Sequence, residues 1–170
     1  MSIEEYLLVE ARIKKEEEKV KELEAELQKY ALFPTIDVEA VGGFPLSDTA
    51  AVRIVGSILH DYYTAIENAF KVVATRIDKS VPQGEQWHKE LLEQMSLEIS
   101  GVRVPLISPA TAAKLQPMRG FRHVFRNVYG FELSSSRVKE LLQLLPTVST
   151  LVKGDFQKFM HEMRKIYKLE

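Results

Sequence analysis

The sequence predicts an all-α fold, an up-and-down bundle of four or five principal helices, and three features carry that expectation. Apolar residues recur at three-then-four spacing over two long stretches, glycine and proline fall between the stretches, and no segment alternates at period two for long enough to build a sheet. The 170 residues fit one domain, 1–170, and a chain of this size buries roughly 70% of the surface its unfolded form exposes.

The elements follow in order. Ser2 and Glu5 have the spacing of a capping box, and no glycine or proline occurs before Pro34, which predicts a long first helix over residues 1–30. Its apolar seam, Tyr6, Val9, Ile13, Val20, Leu23, Leu27 and Tyr30, is broken only at Glu16 and lies on an otherwise charged surface. Such a seam suits packing inside the bundle, or along a second copy as a coiled-coil tether for assembly. Pro34, Gly42, Gly43 and Pro45 make Phe33 to Pro45 a loop. Ser47 or Asp48 then caps a second helix reaching about Asp78, with Val52, Val55, Ile58, Leu59, Tyr62, Ile66, Phe70, Val73, Ala74 and Ile77 on its core face.

After a turn around Pro82, a shorter third helix carries Trp87, Leu91, Leu92 and Met95. Val102 to Ile107 contains Pro105 and reads as an extended connector. Ser108 and Pro109 have the chemistry of an N-cap and first helical position; Pro117 should end or kink the short helix they start, and the basic segment after it forms another, stopped by Gly130. Ser134 to Ser136 offer an N-cap for a final helical stretch to Lys168, with a kink expected at Pro146 and a weak point at Gly154.

Composition narrows the function classes. The chain contains no cysteine, which removes disulfides and thiolate metal sites and fits a reducing cytoplasm. No run approaches the ~18 apolar residues of a membrane span, and MSIEEYLLVEAR lacks the basic start of a secretory peptide. A pI near 6.5 argues against coating nucleic acid with the whole surface, which relies on many phosphate contacts. Any polyanion must therefore be met locally. The place for it is evident: no acidic residue occurs between Glu98 and Glu132, while Arg103, Lys114, Arg119, Arg122 and Arg126 give that interval a formal charge of +5 in a chain of net charge -1.

At ~100° per residue, Arg119, Arg122, His123 and Arg126 share one helical face, with Tyr129 beside Arg122 at i+7. Unpaired like charges at this spacing disfavour a helix, so acids on neighbouring helices, Asp61, Glu67 or Glu132, or a bound phosphate must offset them. Arginine suits phosphate because its planar fork makes two parallel hydrogen bonds and keeps its charge. Trp87 with His88 reads as core or as a base-stacking surface. The four histidines show no metal-ligand spacing, and neither a glycine-rich phosphate loop nor a serine-nucleophile motif is present.

The segment FRHVFRNVYGFEL resembles the signature of HepT-like proteins, a branch of the HEPN ribonuclease superfamily: an arginine, a polar residue, three further residues, a histidine, one residue and a tyrosine. Arg122 takes the arginine place, His123 the polar place, Asn127 that of the histidine and Tyr129 that of the tyrosine. SILHDYYTAIENAF, IDKSVPQGEQWHKELLEQM and the spacing from there to FRH are similar to the same pattern, so the resemblance covers most of residues 47–135. It implies a HEPN bundle that dimerises with two motif helices forming one basic cleft, and a metal-independent ribonuclease toxin without cofactor. The partner it implies is an MntA-type nucleotidyltransferase antitoxin, which adenylylates the motif tyrosine, here Tyr129.

Asn127 departs from the motif, and an amide does not exchange a proton near neutral pH. Cleavage of this kind needs the 2'-hydroxyl activated and the 5'-oxygen protonated, tasks suited to imidazole. The resulting expectation is a site of Arg122, His123, Asn127 and Tyr129, in which His123 supplies the imidazole and Arg119 and Arg126 join Arg122 on the RNA phosphate. The alternative is a non-catalytic HEPN module that binds RNA or a nucleotide in the same cleft, or docks a nucleotidyltransferase partner.

Overall fold

The computed structural model describes residues 1–34, 39–127 and 133–169, and these form an α-helical bundle with one small hairpin. Helix α1, Ile3–Lys29, begins at the expected capping box: Glu5 N donates to Ser2 Oγ (3.2 Å) and Ser2 N to Glu5 Oε2 (2.8 Å). Its seam is used within the chain, since Tyr6, Val9, Ile13 and Leu27 are buried and Val20, Leu23 and Tyr30 pack on the core. The helix lies along α2. Hydrogen bonds fix it across the bundle: Tyr6 Oη donates to the Met160 carbonyl (3.1 Å), Tyr62 Oη to Glu24 Oε1 (2.9 Å), and Arg164 Nη1 to both carboxylate oxygens of Glu10 (3.3 and 3.2 Å).

The segment expected to be a plain loop contains a two-residue antiparallel pairing, β1 (Ala40–Val41) with β2 (Phe44–Pro45). Gly42 and Gly43 both have positive φ, the requirement of a tight hairpin turn, and two-residue strands are too short to leave a periodic signal. Helix α2, Thr49–Val73, is capped by Asp48, whose carboxylate accepts from Ala50 N and Ala51 N. It runs on as a π-helical turn, Ala74–Asp78, which ends at Lys79 in the left-handed conformation. Helix α3 spans Trp87–Met95.

Leu106 and Ile107 of the connector are buried, and their N–H groups both reach the Met95 carbonyl. Arg103, one of the five cations in the basic interval, turns inward. Its Nε and Nη2 bond Asp78 (2.6 and 2.8 Å), and Nη1 and Nη2 reach the carbonyls of Leu97, Val104 and Gln94. One charge of the island is thus spent on tying the connector to the end of α2.

Helix α4, Pro109–Asn127, corrects the expected break at Pro117. Proline deprives the carbonyl four residues earlier of its donor, and that residue, Ala113, is exposed, so water can serve it. Asp155 accepts from Ser108 N and Thr111 Oγ1 at the start of α4, holding it to the last helix. Gly56 lets α4 come close to α2: a Cβ there would lie 3.2 Å from the Phe125 ring. Helix α5, Ser135–Ile166, starts at the Ser134 cap and is continuous through Pro146 and Gly154. Its apolar face, from Val138 to Met163, closes a core shared with α1, α2 and α4. Among the described residues, no helix is long and apolar enough to cross a membrane.

Candidate functional site

Helices α3 and α4 bring polar side chains to one pocket, and α2 supports it from within. Because α4 is unbroken, Arg119, Arg122 and His123 project from adjacent positions of one face, and Glu85, Gln86, His88 and Lys89 line the other side. Beneath the pocket, α2 supplies Thr64, Glu67 and Lys71, one helical turn apart. The turn before α3 and the start of α3 therefore belong to the site.

Glu67 is the organising residue. It is fully buried, yet it lies among the apolar core positions of α2, between Ile66 and Phe70. Burying a carboxylate without partners is costly, and here three cationic or polar groups converge on it. His88 Nδ1 lies 2.7 Å from Oε2; Lys71 Nζ and Arg122 Nη2 lie 3.3 and 3.6 Å from Oε1, neither as a well-aligned hydrogen bond. Of the acids proposed from sequence to offset the arginines, Glu67 is the one that does so for Arg122. Asp61 instead contacts the neighbouring His60 (3.1 Å), and Glu132 lies outside the described residues.

Arg122 is nearly buried and divides its donors: Nε to Thr64 Oγ1 (3.3 Å), Nη1 to His88 Nε2 (3.2 Å), and Nη2 toward Glu67. That pattern assigns the histidine tautomer. A guanidinium has no acceptor, so His88 Nε2 must present a lone pair, and its proton must sit on Nδ1, donating to Glu67. The imidazole is neutral. Burial pushes its pKa below the ordinary 6.5, and the charges of Arg122 and Lys71 act in the same direction, against the hydrogen bond it donates to Glu67 and the charge of that carboxylate. Trp87 lies against the His88 ring and Lys71 Nζ is 4.7 Å from the Trp87 ring centre, so this tryptophan, half-buried on the core edge, walls the site.

The other expected residues are placed differently. Arg119 bonds Gln116 through Nε (2.9 Å) and borders the pocket, as does the exposed His123. Arg126 and Asn127 are exposed beyond the pocket's lining, and Asn127 Nδ2 donates to the His123 carbonyl one turn back (2.7 Å). Tyr129 lies outside the described residues. Below the pocket, Tyr63 is fully buried and its hydroxyl has no hydrogen-bond partner among the described residues; burial first, and then the Glu67 charge, hold this phenol well above its ordinary pKa. Among the described residues, no cluster of three or more His, Asp or Glu side chains could hold a metal ion.

Sequence reasoning did not place His88 among the reacting groups. Its signal was indirect: Glu67, an acid flanked by the apolar positions Ile66 and Phe70 of α2, demanded a buried cationic or hydrogen-bonding partner, and QWHKELL placed a histidine on the next helix. What the arrangement offers is a neutral imidazole, a guanidinium and a second imidazole around one basic pocket, a set suited to binding an oxyanion and moving protons beside it.

Neither a curated protein nor a solved structure matches the chain. A family model described as HepT-like protein matches residues 54–163, beginning inside α2 and running through α3 and α4 into α5, so that every described pocket residue lies within it. That match spans well over half of the chain, and the chain therefore belongs to the HepT-like proteins of the HEPN superfamily.

Proposed function

We propose that this chain is the ribonuclease toxin of a toxin–antitoxin pair, a homodimer that cleaves RNA without metal at the pocket bordered by Arg119, Arg122 and His123. The observation that carries the reading is the meeting of cations and imidazoles from two helices, α3 and α4, in a chain otherwise near neutrality. Arg122 and Arg119 are the phosphate ligands, and the exposed Arg126 extends the positive surface along the strand. His123 supplies an imidazole that Asn127 cannot. Asn127, its amide nitrogen committed to the His123 carbonyl, has Oδ1 left to accept from a ribose hydroxyl.

The purified chain is expected to cleave single-stranded RNA in the presence of a chelator, and His123→Ala to reduce the rate by about 10²-fold or more, the usual worth of a positioned acid or base. Cleavage by His123→Ala at the wild-type rate would remove His123 from the chemistry. The partner in this reading is an MntA-like nucleotidyltransferase antitoxin that modifies Tyr129. Incubation with ATP and an MntA-like nucleotidyltransferase is expected to add the mass of one AMP; persistence of the adduct in Tyr129→Phe would exclude that tyrosine.

A second reading has its own support. Arg122 is already paired with Glu67, and the motif histidine is replaced by Asn127, as a binding module without catalysis would allow. RNA or nucleotide binding without cleavage, or capture of the nucleotidyltransferase alone, would identify that module.

A further inference from the structure

Resting on the ribonuclease reading, we infer that His88 is the general base of the site, held ready by Glu67 and masked by Arg122 until a phosphate draws the guanidinium away. His88 is outside the motif. Three observations on its geometry lead to it. Its Nδ1–H is fixed on a fully buried carboxylate, the arrangement by which an acid orients an imidazole and stabilises the cation it becomes. Its Nε2 lone pair faces Arg122 and the pocket that RNA would enter. The bond that masks that lone pair, 3.2 Å, joins a guanidinium nitrogen to a neutral acceptor, whereas a phosphate oxygen is an anionic acceptor matched to the same fork and competes favourably for it.

Arrival of the scissile phosphate then performs two tasks together. Arg122 redirects its Nη1–H hydrogen bond from His88 to a phosphate oxygen, keeping its proton, and the vacated Nε2 accepts the proton of the 2'-hydroxyl. The 2'-oxygen attacks phosphorus as the bond from phosphorus to the 5'-oxygen breaks. The leaving 5'-oxygen takes a proton from His123, which shares the pocket, in its protonated form. The products are a 2',3'-cyclic phosphate and a 5'-hydroxyl; one proton is taken up by His88 and one released by His123, and exchange with water restores both. No redox change or co-reactant is needed. Both proton-transfer groups come from one chain, so the missing motif histidine is replaced by an imidazole on a different helix.

The groups facing His88 are Glu67 and Lys71 from α2, Arg122 from α4 and Trp87 beside it. In His88→Gln the amide can still accept from Arg122, so the packing of the site is preserved while the titrating base is lost. The rate of cleavage of a short RNA is measured against pH for the wild type, His88→Gln and Arg122→Ala, with thermal unfolding of each. For His88→Gln the expected result is turnover slowed by about 10²- to 10⁴-fold with KM close to that of the wild type. The acid limb of the pH profile should be lost, and the products should keep their 5'-hydroxyl and cyclic-phosphate ends. Cleavage by His88→Gln near the wild-type rate, or an unchanged acid limb, overturns the role of His88 while leaving the ribonuclease reading intact. Absence of cleavage by the wild type overturns both. If His88→Gln does not fold, the wild-type histidine ¹⁵N spectrum decides: His88 must show an unprotonated Nε2 whose resonance moves when a 2'-deoxy RNA analogue binds, and a protonated Nε2 or an unmoved resonance refutes the mask.

Discussion

Replacing Arg103 with alanine is expected to lower the unfolding free energy by about 3–5 kcal/mol, the cost of leaving one partner of a buried ion pair uncompensated. In a chain of 170 residues, each kcal/mol moves the thermal midpoint by roughly 2–4 °C, so the expected fall is about 6–20 °C. The size follows from the completeness of the bonding. All five guanidinium bonds end on protein acceptors, two on Asp78 and three on the carbonyls of Leu97, Val104 and Gln94. Arg103 and Asp78 side chains are 0% and 1% exposed, so no water replaces what is removed. Truncation takes the guanidinium away from three carbonyls and from a carboxylate that keeps one hydrogen bond, from Gln94 Nε2 (2.6 Å), but loses the opposite charge that compensates its burial. Removing Asp78 as well should recover part of the loss, because the unpaired charge goes with it; a loss below about 1 kcal/mol in Arg103→Ala would contradict this account.

The contrast with Arg103 explains what could and could not be read from the chain. Helix starts were legible because they are written in neighbouring residues: Ser2 with Glu5, Asp48, and Ser134 each bond backbone groups within three positions. The core face of α2 was legible for the same reason, through its spacing. Pro117 misled because the rule that proline ends a helix is local, whereas α4 is held from outside, by Asp155 at its start and by the approach at Gly56. The charge island was legible as a sum and not in its parts. Arg103, Arg119, Arg122 and Arg126 look alike in sequence, but the first three are partnered by Asp78, Gln116 and Glu67, and Arg126 is exposed. Only Gln116 is local. His88 and Glu67 are 21 positions apart and meet only once α3 has folded back on α2, so the family motif, which spans Arg122 to Tyr129 in sequence, could not indicate them.

Arg122→Ala is expected to do the opposite of Arg103→Ala, with a large loss of cleavage and a small loss of stability. At rest, Arg122 is held loosely, by contacts of 3.2, 3.3 and 3.6 Å, where the Arg103 bonds to Asp78 are 2.6 and 2.8 Å. Glu67 keeps His88 and Lys71 when Arg122 is removed, so the buried carboxylate stays compensated and the cost should be about 1–2 kcal/mol. In the proposed reaction the same side chain meets the phosphate as charge accumulates, and removing one such preorganised donor slows turnover by about 10²- to 10³-fold. Arg122→Lys separates the two functions: an ammonium can replace the charge beside Glu67 and restore stability, but it lacks the planar fork and cannot bind phosphate while releasing His88 in the same motion. Its cleavage rate should therefore remain close to that of Arg122→Ala. Wild-type cleavage by Arg122→Lys would show that charge alone suffices at this position, and wild-type cleavage by Arg122→Ala would place the phosphate site elsewhere on the chain.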